Sequence, residues 1–143
     1  MAACQPSTGG SVAERSPAGL EQVPLTITSP DGKSHGFTVE IAASPQEQER
    51  GLMFREALAP DRGMIFPYAP PVNASFWMKN TLIPLDMLFI RADGTVARIE
   101  ANAVPLSLDP IPAGEPVAAV LEIAGGRSAE LGIDAGAKVD WKH

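Results

Sequence analysis

Short stretches of alternating apolar and polar residues are the main pattern along this chain, and a period of two predicts β-strands. Residues 23–28 place Val23, Leu25 and Ile27 on one face, and residues 37–42 repeat the alternation. The connecting residues 29–32 contain Pro, Asp and Gly, which favour a turn. The two strands are therefore predicted to form a hairpin.

The stretch from 73 to 90 is the most distinctive part of the chain. Two apolar runs, residues 74–78 and 85–90, flank the polar residues Lys79, Asn80, Thr81 and Asp86. Both faces of the second run are apolar except at Asp86, which predicts a strand covered on both sides. An isolated buried charge is prohibitively costly, so the Asp86 carboxylate must have partners.

The sequence offers several partners for Asp86, namely Arg50, Arg55, Lys79 and the donors of Asn80 and Thr81. Two interpretations remain open. The carboxylate is either a structural bridge that fixes the crossover at Pro84, or part of a charged binding or catalytic site with a shifted pKa.

A helix is predicted to begin after Ser44. Ser44 can cap it, Pro45 suits the first helical position, and Glu47 completes a capping box. Gly51 is a natural stop, so we expect about two to three turns laid across one end of a sheet.

The remaining segments are short strands and loops. We expect strands at 63–66, 95–104, 117–123 and 137–141, a loop at 106–116, and a helical turn at 128–131. In the strand 95–104, the residues predicted to face inward are Ala97, Ile99, Ala101 and Ala103, close to Trp77 or Phe89. Pro67, Pro70 and Pro71 should keep their segment out of a regular ladder. The whole pattern predicts an all-β, jelly-roll-like sandwich or barrel of about eight strands with one short helix.

Charge and composition exclude several classes of partner. The 143 residues carry a formal net charge of −6 without a cluster of Lys and Arg, which argues against nucleic acid and anionic membrane surfaces. Only two histidines and one cysteine are present, too few for a usual zinc site. We expect no metal and no cofactor.

Cys4 follows Met1-Ala2-Ala3 and precedes a segment rich in Ser, Gly, Pro and Ala. This pattern resembles the end of a bacterial lipoprotein signal, whose cysteine becomes lipid-modified. The alternative is an accidental Ala-Ala-Cys at a disordered terminus. We expect residues 1–22 to be a flexible tether, residues 23–143 to be one β domain, and the protein to be lipid-anchored at the cell envelope, outside the cytoplasm.

Several motifs occur together and in order, at residues 49–55 (ERGLMFR), 63–66 (GMIF), 76–81 (FWMKNT), 83–86 (IPLD), 120–122 (VLE), 124–125 (AG) and 132–133 (GI). In this combination the chain resembles the bacterial and archaeal family known as domain of unknown function 192, over about residues 39–139. The resemblance implies a jelly-roll-like β fold that is often exported, and no established activity. Gly136-Ala137 departs from the family pattern, which has Gly-Asp there.

Three functions fit the candidate residues. The first is non-catalytic binding of a polar ligand, such as a sugar or a cell-wall fragment, by Arg55, Trp77, Lys79, Asn80, Thr81, Asp86 and Glu122. The second is a small hydrolase that uses Asp86 and Glu122 as a carboxylate pair. The third is binding of a soft metal such as copper by Met53, Met64 and Met78. No recognisable nucleophile–base pair is present, which favours binding over catalysis.

Overall fold

The computed structural model describes residues 15–142. Within that range the chain forms nine strands and two short helices. The strands are β1 (Gln22–Thr28), β2 (Ser34–Ile41), β3 (Arg62–Val72), β4 (Ser75–Phe76), β5 (Leu85–Ile90), β6 (Val96–Ala103), β7 (Ile111–Pro112), β8 (Val117–Ala124) and β9 (Lys138–Trp141). The helices are α1 (Pro45–Arg50) and α2 (Arg127–Leu131). No helix in this part of the chain has the length and apolar character needed to span a membrane.

Seven strands form one sheet in the order β6-β5-β8-β3-β2-β1-β9, and β4 pairs with β7 in a separate small sheet. All neighbours are antiparallel except β2 and β3. The sheet curls until its two edges meet, because the Val96 amide donates to the Ala137 carbonyl at 2.9 Å and the Val139 amide donates to the Gly94 carbonyl at 2.8 Å. The prediction of an all-β sandwich or barrel is confirmed, as is the hairpin of β1 and β2.

Two hydrophobic cores lie on opposite faces of this sheet. The inner core fills the curl with side chains from most strands, including Leu25, Val39 and Leu121. The outer core packs Met64, Phe66, Met87, Phe89 and Val120 under the segments that cross the outside of the sheet. All six residues of β5 are buried, which confirms the prediction that this strand is covered on both sides.

Helix α1 begins as its sequence predicts and ends earlier than expected. The Ser44 hydroxyl accepts from the Glu47 amide at 3.1 Å, and the Glu47 carboxylate accepts from the Ser44 amide at 3.0 Å. Six residues follow the cap, fewer than the two to three turns expected, and the chain leaves the helix at Gly51. The backbone of Gly51 has φ 49° and ψ −129°, a conformation that side chains larger than hydrogen disfavour.

Three strand predictions need correction. Strand β3 is longer than predicted and runs to Val72, but its ladder with β8 is irregular between Pro67 and Val72, as its prolines predict. Strand β6 has two register shifts against β5, so its inward alternation fails: Ala101 is exposed, and Phe89 is covered by the Arg98 guanidinium at 4.8 Å. The apolar run at 74–78 contributes only the two residues of β4, which pair with β7 inside the segment predicted to be a loop.

The Asp86 carboxylate is fully buried and is held by backbone amides. Its Oδ1 accepts from the amides of Asn102 and Gly126, each at 2.9 Å, and its Oδ2 accepts from the Ser128 amide at 2.9 Å and from the Ser128 hydroxyl. The partners expected from the sequence, the side chains of Arg50, Arg55 and Lys79 and the donors of Asn80 and Thr81, are therefore wrong. The carboxylate ties β5 to β6 and to the start of α2, which is the structural interpretation.

Two local backbone features bring these amides to Asp86. Asn102 lies in the bulge of β6 and has φ 51°, which turns its N–H toward the carboxylate instead of into the ladder. Gly126 has φ 87°, the left-handed region that glycine adopts without strain, and its amide also reaches Oδ1. The bulge that disrupts the alternation of β6 therefore has a structural reason. In a regular strand the Asn102 amide would not reach Asp86, and the carboxylate would have one donor fewer.

The residues just before β1 contact the body of the domain. The Ser16 hydroxyl donates to Glu40 Oε2 at 2.7 Å, and the backbones of Arg15 and Glu21 form an isolated antiparallel β-bridge. Residues 15–21, which the sequence assigns to the tether, therefore pack against the barrel. Cys4 and the rest of the predicted tether before Arg15 lie outside the described residues.

We predict that Asp86→Ala lowers the free energy of unfolding by about 3–5 kcal/mol, because three amides and one hydroxyl lose the buried carboxylate that accepts from them. Urea denaturation followed by circular dichroism measures this loss. Asp109→Ala is the control, since that residue is exposed, and its effect should stay within about 0.5 kcal/mol. An Asp86→Ala protein as stable as the control would contradict the structural role.

Candidate functional site

A pocket of about 270 Å³ opens on the outer face of the sheet. It lies between the end of α1, strand β3 and the segment around β4, and Glu122 of β8 contributes to its lining. We call it the Glu122 pocket. Its lining residues are Gln48, Glu49, Arg50, Gly51, Leu52, Met53, Phe66, Tyr68, Ser75, Phe76, Trp77, Thr81 and Glu122.

Glu122 is the buried acid of this pocket. It pairs with Met87 of β5 on one side and Met64 of β3 on the other, so methionine side chains flank its carboxyl group on the same face. Its side chain is only 4% exposed, and no hydrogen bond or ion pair reaches it from any described residue. Burial raises the pKa of Glu122 to about 8, because the charged form loses its hydration and gains no compensating donor.

Tyr68, a residue of β3, lies close to Glu122 in the lining of the pocket. Burial raises the pKa of the Tyr68 phenol to about 12, and the charge of Glu122 adds to this shift. The Tyr68 hydroxyl also makes no hydrogen bond within the described part of the chain. The pocket therefore holds two polar groups, a carboxyl and a phenol, whose hydrogen-bonding capacity is unused.

Aromatic rings form much of the remaining wall. Phe76 packs edge-on against Phe66, with ring centroids 5.0 Å apart, and against Phe89 at 6.4 Å. The residue after Phe76 in the chain points outward: Trp77 is 47% exposed, and the Lys79 ammonium lies 5.1 Å from its ring centre. The indole thus presents a large flat surface at the edge of the pocket.

The end of α1 approaches this wall closely. Gln48 donates through Nε2 to the carbonyl oxygens of Ala42 and Pro67, both at 3.0 Å, and so fastens the helix to β3. A methyl group on Gly51 would lie 3.3 Å from the Phe66 ring. Glycine at this position therefore serves both the helix end and the contact with the ring.

Five of the seven residues predicted to bind a ligand lie in or beside the Glu122 pocket. Trp77, Thr81 and Glu122 line it, and Lys79 covers the Trp77 ring. Asn80 supports the adjacent backbone, since its carbonyl accepts from the Phe54 amide at 2.8 Å.

Arg55 and Asp86 lie outside the pocket lining. Arg55 donates to Glu40 at 2.5 and 3.0 Å in a partly buried ion pair. Burial opposes ionisation of Glu40, but the hydrogen bonds from Arg55 and Ser16 hold its pKa below the ordinary value. Asp86 is enclosed by the amides described above. Arg55 and Asp86 are therefore held by structural partners and do not take part in the Glu122 pocket.

The geometry does not support a carboxylate pair of Asp86 and Glu122. Glu122 is directly opposite Met87, and Asp86 is the neighbour of Met87 in β5. Successive side chains of a strand point to opposite faces, so the two carboxyl groups lie on opposite sides of the sheet. The mechanism in which they share one substrate is wrong.

The three methionines considered for a soft metal have different surroundings. Met64 and Met78 are fully buried in the outer core, and Met53 lines the Glu122 pocket. Among residues 15–142, no group of three or more His, Cys, Asp and Glu side chains is arranged to hold a metal ion.

Sequence reasoning missed Tyr68, Phe76 and the end of α1 as parts of the pocket. A signal existed for two of them. Phe66 and Tyr68 are two residues apart, so in a continuous β3 they share a face, and Phe76 faces away from Trp77 for the same reason. The prolines of β3 concealed the first relation because they suggested that the strand had ended.

Comparison with known proteins identifies relatives of unknown function. The family model DUF192, described as Uncharacterized ACR, COG1430, matches residues 26–141. A crystal structure of a protein of unknown function from Novosphingobium aromaticivorans DSM 12444 is similar over 96% of this chain and 100% of its own, with 46% identity and a TM-score of 0.87. Another, from Sinorhizobium meliloti 1021 and described as a candidate transcription regulator, is similar over 85% of this chain and 95% of its own, with 42% identity and a TM-score of 0.83. No curated protein matches the sequence.

The raised pKa of Glu122 predicts a stability that falls as pH rises. Between its ordinary pKa of 4.5 and its folded value of about 8, the folded protein keeps a proton that the unfolded chain releases, so unfolding becomes easier. The loss between pH 5 and pH 8 is about 4 kcal/mol by this linkage. Glu122→Gln has no such proton, and its advantage over the parent protein should grow across this range.

Urea unfolding of both proteins at pH 5, 6, 7 and 8 measures the effect. Glu130→Gln is the control, because it removes the same charge from an exposed residue. A stability difference between Glu122→Gln and the parent that stays constant with pH would contradict the buried, unpaired state of Glu122.

Proposed function

The chain belongs to the DUF192 family, and we propose that it is a non-catalytic binding protein whose Glu122 pocket takes a polar ligand such as a sugar or a cell-wall fragment. The observation that carries this proposal is the buried carboxyl group of Glu122, which has no partner among residues 15–142 and lines an open pocket. Buried polar groups in folded proteins are nearly always hydrogen-bonded, so an unsatisfied one beside a cavity points to a ligand.

The walls of the pocket support the same class of ligand. Trp77 offers a flat apolar face for stacking, and the Tyr68 hydroxyl and Glu122 carboxyl offer directional hydrogen bonds. Directional polar groups placed beside aromatic rings are typical of a site that binds a small molecule. Catalysis has less support, because the carboxylate pair is absent and the remaining acid has no base or nucleophile hydrogen-bonded to it.

We further propose that the protein works at the cell envelope, held by a lipid on Cys4. The support is the Ala-Ala-Cys pattern and the Ser, Gly and Pro residues that follow it. The role ascribed to the Sinorhizobium protein does not transfer readily, since DNA binding requires a basic face and this chain has a net charge of −6.

Ligand titrations followed by amide NMR shifts test the binding proposal. A panel of mono- and disaccharides and soluble cell-wall fragments should contain a compound that shifts the resonances of residues lining the pocket, Gly51, Phe76 and Thr81 among them. No shift with any compound, or shifts confined to other surfaces, would overturn the proposal.

Trp77→Ala should weaken such a ligand by about 2- to 10-fold, the range expected for one aromatic contact. Because Trp77 is 47% exposed, the substitution should leave the fold intact. Leu82→Ala is the matched control: Leu82 is 45% exposed and lies outside the pocket. Equal weakening by both variants would contradict a stacking role for the indole.

A further inference from the structure

We propose that the group that the ligand brings to Glu122 is a primary ammonium, so that the pocket selects cationic ligands such as an amine-bearing side chain of a cell-wall fragment. This inference rests on the proposed function, because it names the chemistry of the same site. The ligand that it names differs from a simple sugar, because it must carry a positive charge and not only hydroxyl groups.

The first argument is the missing counter-charge. Two cations lie near the pocket, and both are directed elsewhere: the Arg50 guanidinium stacks on Phe54 at 5.5 Å, and the Lys79 ammonium stacks on Trp77 at 5.1 Å. Neither forms an ion pair with Glu122 among the described residues. A buried carboxylate becomes stable only when a cation or several donors reach it, and an incoming ammonium supplies both the charge and the donors.

The second argument is the composition of the walls. Aromatic faces attract cations, and the Glu122 pocket has Tyr68, Phe76 and Trp77 in its lining. The Lys79 ammonium on the Trp77 ring shows that this indole already accepts such a group within the chain. The net charge of −6 also favours a cationic ligand, while Glu49 and Arg50 in the lining carry opposite charges.

The third argument concerns size and access. The volume of about 270 Å³ is close to the lower end for small-molecule sites, which suits the end of an aliphatic chain better than an extended saccharide. Leu52, Met53 and Phe66, which line the pocket, give that chain apolar contacts. An ammonium on a flexible methylene chain matches a small pocket that has both aromatic walls and a buried acid.

Proton release should accompany binding. Burial raises the pKa of Glu122 to about 8, so most of the free protein carries the neutral acid at pH 7. The titratable or charged groups facing this acid from the surrounding elements are Tyr68 of β3 and Glu49 and Arg50 of α1, with Lys79 beyond the Trp77 ring. The Tyr68 phenol has a pKa of about 12, so it does not titrate in this range. An ammonium ligand binds the ionised form, and its apparent affinity should therefore rise about tenfold from pH 7 to pH 9.

A matched pair of probes tests this inference on the full chain. The cation is Nα-acetyl-lysine N-methylamide, whose ammonium stays protonated to about pH 10. The neutral partner is the same compound with a hydroxyl group in place of the ammonium. Kd values come from amide NMR titrations at pH 7, 8 and 9. We expect the cation to bind more tightly than its hydroxyl partner at pH 9, with affinity that rises about tenfold from pH 7 to pH 9.

Glu122→Gln should remove this pH dependence and weaken the cation at least about tenfold at pH 9, the loss expected for one charge-assisted contact. Glu130→Gln, which removes an exposed charge outside the pocket, should leave both properties unchanged. Because Glu122→Gln removes a buried unpaired acid, it should fold at least as well as the parent, so lost binding would not reflect lost structure.

The outcomes separate the two proposals. Equal or tighter binding of the hydroxyl probe, or affinity for the cation that does not change with pH, overturns the ammonium inference and leaves a pocket for neutral polar ligands. Binding of saccharides alone has the same meaning. Failure of both probes and of the saccharide panel to shift any pocket resonance overturns the ammonium inference and the proposed function together.

Discussion

The covering of β5 and β8 on both faces is the constraint that governs the rest of this structure. Because β5 is buried throughout and β8 is buried over most of its length, a carboxylate on either strand loses its hydration and must be satisfied or kept neutral. Asp86 and Glu122 are the acids in this position, and the fold treats them differently. Asp86 receives three amides and a hydroxyl, whereas Glu122 receives no donor from the described part of the chain and has its pKa raised to about 8.

The need for partners at Asp86 follows from its sequence context, but their identity does not. A carboxylate at the start of an apolar strand must be hydrogen-bonded, and charged side chains nearby in sequence are the natural expectation. The actual donors are mostly backbone amides, at Asn102, Gly126 and Ser128, between 16 and 42 residues further along the chain. Every residue except proline carries such a donor, so composition holds no signal of which ones converge. Only the bulge of β6 and the left-handed turn at Gly126 bring them together.

The fold class was predictable from the sequence because the periodicity of apolar residues directly reflects which side chains are buried. The candidate site was predictable only in part. The alternation in β1 and β2 and the capping box of α1 are local signals, and the structure confirms them. The pocket depends on features that are not local. Proline within β3 indicated that the strand ends near Pro67, yet β3 runs on to Val72 with an irregular ladder, and Tyr68 lies close to Glu122 in the pocket lining. The pairing of β4 with β7 likewise depends on two-residue strands too short to show a period.

The contrast between the two acids is the strongest reason to regard the Glu122 pocket as functional. Asp86 stabilises the fold, and its neighbours leave it neither exposure nor room for a ligand. Glu122 does not stabilise the fold in this way. A neutral side chain of the same size in its place would remove the cost of desolvating its charge and would break no hydrogen bond within the described residues. An acid that weakens the free protein at neutral pH is useful only when something offsets the cost. A bound group that donates hydrogen bonds or carries positive charge does so, and the open pocket gives that group its access.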